Sequence, residues 1–267
     1  MTRLTPEWVE YMIDGMDAYE EQLRSCCGLG LAELAGRAAG IRAEELADAQ
    51  QRERVCVIPI TQGLGIISSF AEAVSAIATA MGFDAETACH TDVDGIYDAH
   101  QAGREILLMA DDTRYLALNT SNGKASDNNE ATARGYITLL EAMAEHHGRS
   151  LSDAPVLLIG LGLVGEEAAW ILSRKGIAFD VLDKQDVTCP LAGHVYSDPA
   201  VIRRYAYVLD MTNEGDWLTA DMLAEDALYA SPGVPYSLTS EAEEAMGNRA
   251  FHDNLEIGTA VMAADVI

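Results

Sequence analysis

A glycine-rich turn that joins a short apolar run to a helical pattern limits the fold of this chain more than any other feature. Residues 156–159 predict a buried strand, the glycine pattern GxGxxG occupies residues 160–165, and residues 166–174 predict a helix. A second apolar run over residues 178–182 ends in Asp183, about 20 residues after the glycines. Strand, glycines, helix and acid in this order are the fingerprint of a dinucleotide-binding βαβ unit, so we expect a Rossmann-type sheet in this part of the chain.

Each glycine of the turn has a separate physical role. Gly160 permits the tight turn after the strand, Gly162 lets a pyrophosphate approach the backbone, and Gly165 lets the helix pack closely on the strand. The first residues of the helix present backbone N–H groups that no carbonyl of the helix accepts, and these groups attract phosphate. We therefore predict that Leu163 and Val164 line the cofactor site together with the glycines.

The acid after the second strand indicates which dinucleotide binds. Asp183 would accept hydrogen bonds from the ribose hydroxyls of NAD and would repel the 2′-phosphate of NADP. The neighbouring Lys184 would attract that 2′-phosphate, so the predicted preference for NAD depends on Asp183. The expected cofactor is NAD, and a glycine-rich turn without a ligand is the alternative interpretation of the segment.

Two further loops follow predicted strands of the same sheet, which cover residues 205–210 and 227–230. In open α/β sheets, ligands bind beyond the carboxyl ends of the strands. We therefore predict that polar and glycine residues of these loops lie near the nicotinamide, with ordinary turn chemistry as the alternative. The predicted residues are Thr212, Asn213, Ser231 and Gly233.

The first part of the chain predicts a helical lead-in and a small α/β domain. Helical patterns cover residues 6–50 with an interruption at Gly28, and strand and helix patterns then alternate, which favours a layered α/β structure with mostly parallel strands. The predicted elements are strands 55–60, 83–89 and 106–109 and helices 69–81 and 94–103. The predicted domains are residues 1–126 (helical and α/β substrate domain), 127–148 (bridging helix) and 149–267 (Rossmann dinucleotide-binding domain).

Polar residues follow two strands of the first domain and are candidates for holding a substrate. Asp111 and Asp112 stand after strand 106–109, where adjacent carboxylates could hold an ammonium group or tune each other's protonation. A solvated turn is the alternative in a chain so rich in acids. Thr61 begins the glycine-containing loop after strand 55–60, whose backbone amides could meet a substrate carboxylate.

Two helices add further candidate substrate residues. The bridging helix places Asn128 and Thr132 four residues apart on one face. Near residue 260, Thr259 after Gly258 predicts the N-cap of a last helix over residues 260–266, whose amides could hold a carboxylate. A purely structural cap is the alternative interpretation.

The charge balance excludes several classes of partner. The chain has 17 Lys+Arg against 43 Asp+Glu, a formal net charge of −26, so neither a basic nucleic-acid groove nor a polybasic membrane anchor is expected. No apolar run reaches the length of a membrane span. Five cysteines form no CxxC pair and no HExxH motif occurs, so we expect no disulfide framework, no metal site and a cytoplasmic location.

One combination of segments is similar to a known family. It consists of Ile106–Asp112, Asn119, Asn122–Lys124, Gly160–Gly165, Ser231–Pro235 and Glu256–Ala260, with a loop of related character at Ile58–Ile67. This combination resembles the PylD family of pyrrolysine synthases, from about residue 54 onward. The aspartate segment and the last segment are more specific than the glycine turn, which many families share.

The resemblance implies the last step of pyrrolysine biosynthesis. The substrate would be 3-methyl-D-ornithine joined to the ε-nitrogen of L-lysine, and NAD would accept hydride from the carbon that bears the ornithine side-chain amine. Ammonia loss and ring closure would follow. Asp112 would hold the amine, Asp111 would help to orient it, and Asn119 would contact the substrate. We expect a homodimer that binds this small amino-acid-derived molecule in a cleft between the domains.

Two other functions remain consistent with the sequence. The first is a different NAD-dependent amino-acid or imine dehydrogenase on a similar two-domain frame. The second is a non-catalytic NAD-sensing module, which would bind NAD without turnover.

Overall fold

The structure, a computed structural model, describes residues 4–267. The helices are α1 (Met12–Cys27), α2 (Leu31–Ala39), α3 (Ala43–Arg52), α4 (Phe70–Ala80), α5 (Asp92–Gln101), α6 (Asn128–His146), α7 (Leu163–Lys175), α8 (Ser240–Met246) and α9 (Glu256–Asp265). The strands are β1 (Arg54–Pro59), β2 (Asp84–Thr87), β3 (Ile106–Ala110), β4 (Tyr115–Asn119), β5 (Ala125–Asp127), β6 (Val156–Ile159), β7 (Phe179–Leu182), β8 (Val195–Tyr196), β9 (Tyr207–Asp210), β10 (Leu228–Ser231) and β11 (Ala250–His252). Short 3₁₀ helices lie at Pro6–Trp8, Pro199–Arg204, Ala220–Met222 and Gly247–Arg249.

The chain divides into two compact units that do not follow the sequence in simple order. The first unit contains the chain up to Glu21, Gly30–Ala131 and Leu255–Ile267, and the second contains Gln22–Leu29 and Thr132–Asn254. This division differs from the expected boundaries at residues 126 and 148, because α6 crosses from one unit to the next and α9 belongs to the first unit. Local patterns along a chain do not show which distant segment a helix will pack against.

The first unit is built on a five-stranded sheet in the order β2-β1-β3-β4-β5. The pairs β1–β2 and β1–β3 are parallel, whereas β3–β4 and β4–β5 are antiparallel. Strands β4 and β5 are not among the predicted elements, and residues 120–124 form the loop that joins them. The burial of β4 alternates as in a half-buried strand, but its sequence is a run of apolar residues that ends in Asn119, so no polar–apolar alternation revealed it.

Two helices of the first unit, α2 and α4, pack against α9. The predicted helical lead-in is confirmed as α1 to α3. Every residue of α9 from Glu256 to Ala264 is buried, and the side chain of its N-cap residue Leu255 makes no capping hydrogen bond. The predicted cap at Thr259 is wrong: the helix begins at Glu256, and the N–H of Thr259 donates to the carbonyl of Leu255 at 3.0 Å, so Thr259 lies inside the first turn rather than before it.

The second unit is a six-stranded parallel sheet in the order β11-β10-β9-β6-β7-β8. When strands β6 to β11 are renumbered 1 to 6, this order is 6-5-4-1-2-3, which read from the other edge is the 3-2-1-4-5-6 order of the Rossmann dinucleotide-binding fold. The strand order confirms the predicted fold class. Its strand order reverses between β6 and β9, so the loops after these two strands meet at the switch point where such folds bind their ligand. Helix α7 begins at Leu163, three residues before the predicted start, with Gly162 as its N-cap.

The helices of residues 4–267 include none that is both long and apolar enough to cross a membrane.

Candidate functional site

The glycine turn after β6 has the geometry that its sequence predicts. Gly160 has φ +84°, a left-handed conformation that favours glycine. A Cβ on Gly165 would lie 2.1 Å from the carbonyl oxygen of Gly160, so only glycine lets α7 approach the end of β6 this closely. The turn and the helix are thus fixed to each other by two positions that exclude any side chain.

Gly162 differs from the other two glycines of the turn. Its φ of −82° is open to any residue, and a Cβ built there would have no other heavy atom within 4 Å. A side chain at Gly162 would therefore cost the fold little, yet it would stand beside the first N–H groups of α7, where Leu163 and Val164 begin the helix. The N-terminus of a helix attracts phosphate, so this cradle fits a dinucleotide pyrophosphate.

Asp183 ends β7 beside the glycine turn. Its Oδ2 accepts a hydrogen bond from the backbone N–H of Leu161 at 2.8 Å, and its Oδ1 accepts one from Gln185 at 2.8 Å. A carboxylate has about four acceptor sites, so two remain for ribose hydroxyls. The structure therefore fixes the carboxylate next to the turn that would hold the pyrophosphate, as NAD binding requires.

Three strand ends meet at the same edge of this sheet. A Cβ on Gly160 would lie 2.7 Å from Cγ2 of Thr212, and a Cβ on Gly233 would lie 1.9 Å from the carbonyl oxygen of Thr212. The buried Ser231 Oγ accepts the N–H of Gly233 at 3.1 Å, and Asn213 is exposed on the loop after β9. The predicted residues after β6, β9 and β10 are thus brought together.

A buried acid that the sequence analysis did not single out organises the loop after β9. Asp210 is fully buried, and its Oδ1 accepts both the N–H and the hydroxyl hydrogen of Thr212, at 2.9 and 2.7 Å. The hydroxyl of Tyr229 donates to its Oδ2 at 2.8 Å, and burial raises the pKa of this tyrosine well above its usual value. The position of Asp210 at the end of a buried strand was the signal that could have identified it.

A histidine at the end of β11 also lies at this edge and was missed. The Nε2 of His252 lies 2.8 Å from the carbonyl oxygen of Gly233, and its ring stacks on Tyr236 at 4.1 Å between centroids. Burial lowers the pKa of His252 to about 4, so the ring is neutral near pH 7 and its Nε2–H donates to the carbonyl. Its strand of three residues was too short to predict from pattern.

In the first unit, Asp112 and the loop after β1 come together. The Oδ2 of Asp112 accepts a hydrogen bond from the backbone N–H of Leu64, and a Cβ on Gly63 would lie 2.2 Å from the same oxygen. The base of the loop is held by Thr61, whose N–H and hydroxyl donate to Asp92 at 2.8 and 2.6 Å. These bonds lower the pKa of Asp92, the hydroxyl bond contributing most. The loop after β1 and Asp112, which we expect to hold substrate, are therefore in contact through the N–H of Leu64.

Asp111 accepts hydrogen bonds from the backbone of its own turn. Its Oδ1 accepts the backbone N–H groups of Thr113 and Arg114, both at 2.7 Å, and this closes the turn between β3 and β4. Such a turn is a common use of aspartate. The structure thus gives the two neighbouring acids different surroundings, since Asp111 faces its own turn and Asp112 faces another loop.

Two other predicted substrate residues have internal hydrogen bonds away from Asp112. The buried Asn119 donates from Nδ2 to Glu53 at 2.7 Å and to the carbonyl of Val266 at 2.9 Å. The hydroxyl of Thr259 lies 2.8 Å from that of Tyr115, deep in the first unit, and Gly258 is buried beside it. These hydrogen bonds connect β4 to α9 and to Val266 directly after it, so they stabilise the packing of the first unit.

The bridging helix begins as predicted, directly after Asp127, whose Oδ1 accepts the N–H of Asn129 at 2.9 Å. Asn128 lies in the first turn of α6 and belongs to the first unit, whereas the buried Thr132 is the first residue of α6 in the second unit. Within residues 4–267, no group of three or more His, Cys, Asp or Glu side chains is placed to hold a metal ion.

Comparison with known proteins identifies the family. The family model described as "Pyrrolysine biosynthesis protein PylD, N-terminal domain" matches residues 11–126. The pyrrolysine synthase of Methanosarcina barkeri is 31% identical over 219 residues, which cover 80% of this chain and 81% of that protein. The chain belongs to the pyrrolysine synthase family. The pyrrolysine synthase of Methanosarcina acetivorans is 28% identical over the full length of both chains.

Membership of the pyrrolysine synthase family extends the resemblance found in the sequence. That resemblance began near residue 54, whereas the family model begins at residue 11 and includes the helical lead-in. Among solved structures, the bifunctional 5,10-methylenetetrahydrofolate dehydrogenase/cyclohydrolase of Thermoplasma acidophilum has a TM-score of 0.54 at 13% identity, with 90% of this chain and 96% of that chain covered. This likeness shows the fold, which this member of the pyrrolysine synthase family shares with a dehydrogenase.

Proposed function

We propose that this protein oxidises the terminal amine carbon of 3-methyl-D-ornithyl-N6-L-lysine with NAD and releases pyrrolysine. The observation that carries the proposal is the cradle at Gly162, where a glycine that the fold does not need stands between the N-terminus of α7 and the fixed carboxylate of Asp183. Family membership supports the substrate, and the exposed surroundings of Gly162 support the dinucleotide.

The overall reaction balances without a further reagent. The ammonium form of the side-chain amine first loses a proton to water, because hydride leaves only from the carbon of a neutral amine, and NAD, when bound, accepts that hydride. The resulting iminium takes up water and releases ammonium, which leaves an aldehyde at this carbon. The ornithine α-amine then attacks the aldehyde, and loss of water closes the methylpyrroline ring. Because the ring closes within one molecule, the protein needs mainly to confine the chain.

The residues of the chain have separate tasks in this proposal. Gly160, Gly162 and Gly165 with Leu163 and Val164 hold the pyrophosphate, and Asp183 binds the adenosine ribose. Residues at the three strand ends border the nicotinamide; they are Thr212, Asn213, Ser231 and Gly233, supported by Asp210 and His252.

Asp112 is the proposed anchor of the substrate amine. It is half-buried and carries a negative charge, and the N–H of Leu64 donates to its Oδ2 and so holds the carboxylate at the loop after β1, where its charge would attract an ammonium group. Charge-assisted hydrogen bonds of this type are the stronger class in proteins. The backbone of the loop after β1 reaches the anchor at Leu64, and we place Thr61 at the base of this loop and two further predicted contacts, Asn128 and Thr132, on α6.

The proposal also includes a cytoplasmic homodimer. The cysteine pattern supports a reducing compartment. On α5, Val93 and Tyr97 lie one turn apart and are 76% and 62% exposed, and we place the proposed contact between copies on this face of α5.

An Asp112→Asn variant tests the amine anchor. Asparagine keeps an oxygen that accepts the N–H of Leu64 but removes the charge that holds an ammonium group. We expect kcat/KM for the lysine-linked substrate to fall by at least about tenfold, with an unchanged Kd for NAD. The measurement is initial-rate kinetics together with NAD titration by fluorescence.

The matched control is Asp48→Asn, the same change at an exposed position of α3, which should keep the activity of the unaltered protein. Equal activity of Asp112→Asn and Asp48→Asn would remove Asp112 from the proposed site.

A further inference from the structure

Lys184 stands at a position that normally decides between the two nicotinamide dinucleotides. It directly follows Asp183, the acid proposed to bind the adenosine ribose. A cation close to that acid is the usual partner of the 2′-phosphate in NADP-binding proteins of this fold. Lysine binds phosphate as a point charge, so an available Lys184 would favour NADP.

The structure gives this lysine another partner. Lys184 Nζ forms an ion pair with Oε1 of Glu214, which is 30 residues later in the chain. Glu214 lies on the loop after β9 rather than on the loop that carries Lys184. The side chains of Lys184 and Glu214 are 66% and 48% exposed, so their ion pair contributes little to the free energy of unfolding. The pair instead changes the net charge that a bound ligand would meet at this position.

Both ends of the Glu214 loop are held in place. Before Glu214, Thr212 is bound to the buried Asp210 through its N–H and its hydroxyl. After it, the N–H of Asp216 donates to Tyr236 at 3.0 Å and that of Trp217 donates to Ser237 at 3.0 Å. The backbone of Glu214 therefore has a defined position from which its carboxylate reaches Lys184.

The charges at this place sum to one negative charge. Asp183 and Glu214 each contribute a carboxylate and Lys184 contributes one cation, while a 2′-phosphate brings about −1.5 to −2. We propose that Glu214 is a specificity-determining residue: it neutralises Lys184 and so disfavours NADP, whereas Asp183 binds the free hydroxyl of NAD. This inference rests on the proposed function, because it requires that the dinucleotide bind at Asp183.

The test compares dissociation constants for NAD and NADP in the unaltered protein and in Glu214→Gln, Lys184→Met and the double variant, at low ionic strength. We expect Glu214→Gln to tighten NADP by about three- to fivefold, and NAD by less than about twofold. In the Lys184→Met background, the same substitution should have a smaller effect on NADP, since no cation is left to release. Added KCl should reduce the difference.

The matched control is Glu225→Gln, an exposed acid that precedes β10 and so lies at the opposite end of the strands. It should leave the ratio of the two constants unchanged. An unchanged ratio in Glu214→Gln, or an equal shift with and without Lys184, would overturn the role of Glu214. Failure of the unaltered protein to bind either dinucleotide would instead reject the proposed function.

Discussion

At the scale of single residues, the three glycines of the turn have different reasons to be glycine. Gly165 is required by the fold, because a Cβ there would collide with the backbone of Gly160. Gly162 is not required by the fold, because a Cβ there would have free space around it. Since a dinucleotide is the reason we give for Gly162, substitutions at the two positions separate folding from cofactor binding.

We expect Gly162→Ala to change the free energy of unfolding by less than about 1 kcal/mol but to raise the Kd for NAD by at least about tenfold. Gly165→Ala should lower the free energy of unfolding by at least about 2 kcal/mol, because α7 must move from β6. Urea unfolding and NAD titration of both variants provide the measurements. Unchanged NAD affinity in Gly162→Ala would contradict the assignment of the cradle.

His252 predicts a pH dependence of stability. In the unfolded chain its pKa is near the usual 6.5, and burial lowers it to about 4 in the folded protein. Between these two values the unfolded chain binds more protons, so the free energy of unfolding must fall as the pH drops. We expect a loss of about 2 kcal/mol from this group between about pH 7 and about pH 5.

The His252→Gln variant isolates this contribution, since glutamine keeps a donor for the carbonyl of Gly233 but does not titrate. Urea unfolding at both pH values should show a smaller loss in the variant. Parallel losses in the two proteins would mean that His252 is not buried as a neutral ring.

At the scale of elements, the loop after β1 is attached to the Asp112 carboxylate. Gly63 and Gly65 both have a left-handed backbone, with φ of +82° and +84°, so alanine is strained at either position. Only at Gly63 would the added Cβ also meet Asp112, at 2.2 Å from Oδ2. The pair therefore offers a substitution and its control within three residues.

We expect Gly63→Ala to lower kcat/KM for the amine substrate by about tenfold relative to Gly65→Ala, because it displaces the carboxylate that holds the amine. Neither change should alter the Kd for NAD. The same kinetic parameters in both variants would show that the contact between the loop and Asp112 has no part in substrate binding.

The elements that the sequence predicted well are those with a strong local pattern. The bounds of β6 agree with the predicted strand, and α4 and α5 differ from the predicted helices by only a few residues. The missed strands β8 and β11 have two and three residues, too short for any period to appear. The burial of α9 and the hydrogen bond from Asn119 to Val266 depend on contacts between segments more than 100 residues apart, which no local pattern records.

At the scale of the whole molecule, the net charge of −26 does not mark the site. Residues 1–150 carry 24 acids and 11 bases, and residues 151–267 carry 19 and 6, so each part has a charge of −13. An excess that is spread this evenly affects solubility and association more than recognition of one ligand. The acids that matter for the proposed function are individual ones with fixed partners, Asp112 in the first unit and Asp183 in the second.

We propose that this member of the pyrrolysine synthase family couples NAD reduction to ring closure. The most direct measurement is incubation of the purified protein with NAD and 3-methyl-D-ornithyl-N6-L-lysine, with NADH followed by absorbance, ammonium by an enzymatic assay and the product by mass spectrometry. We predict equimolar NADH, ammonium and pyrrolysine, and none of them when NAD is omitted. NAD binding without any of these products, or NADH formed without pyrrolysine, would contradict the claim.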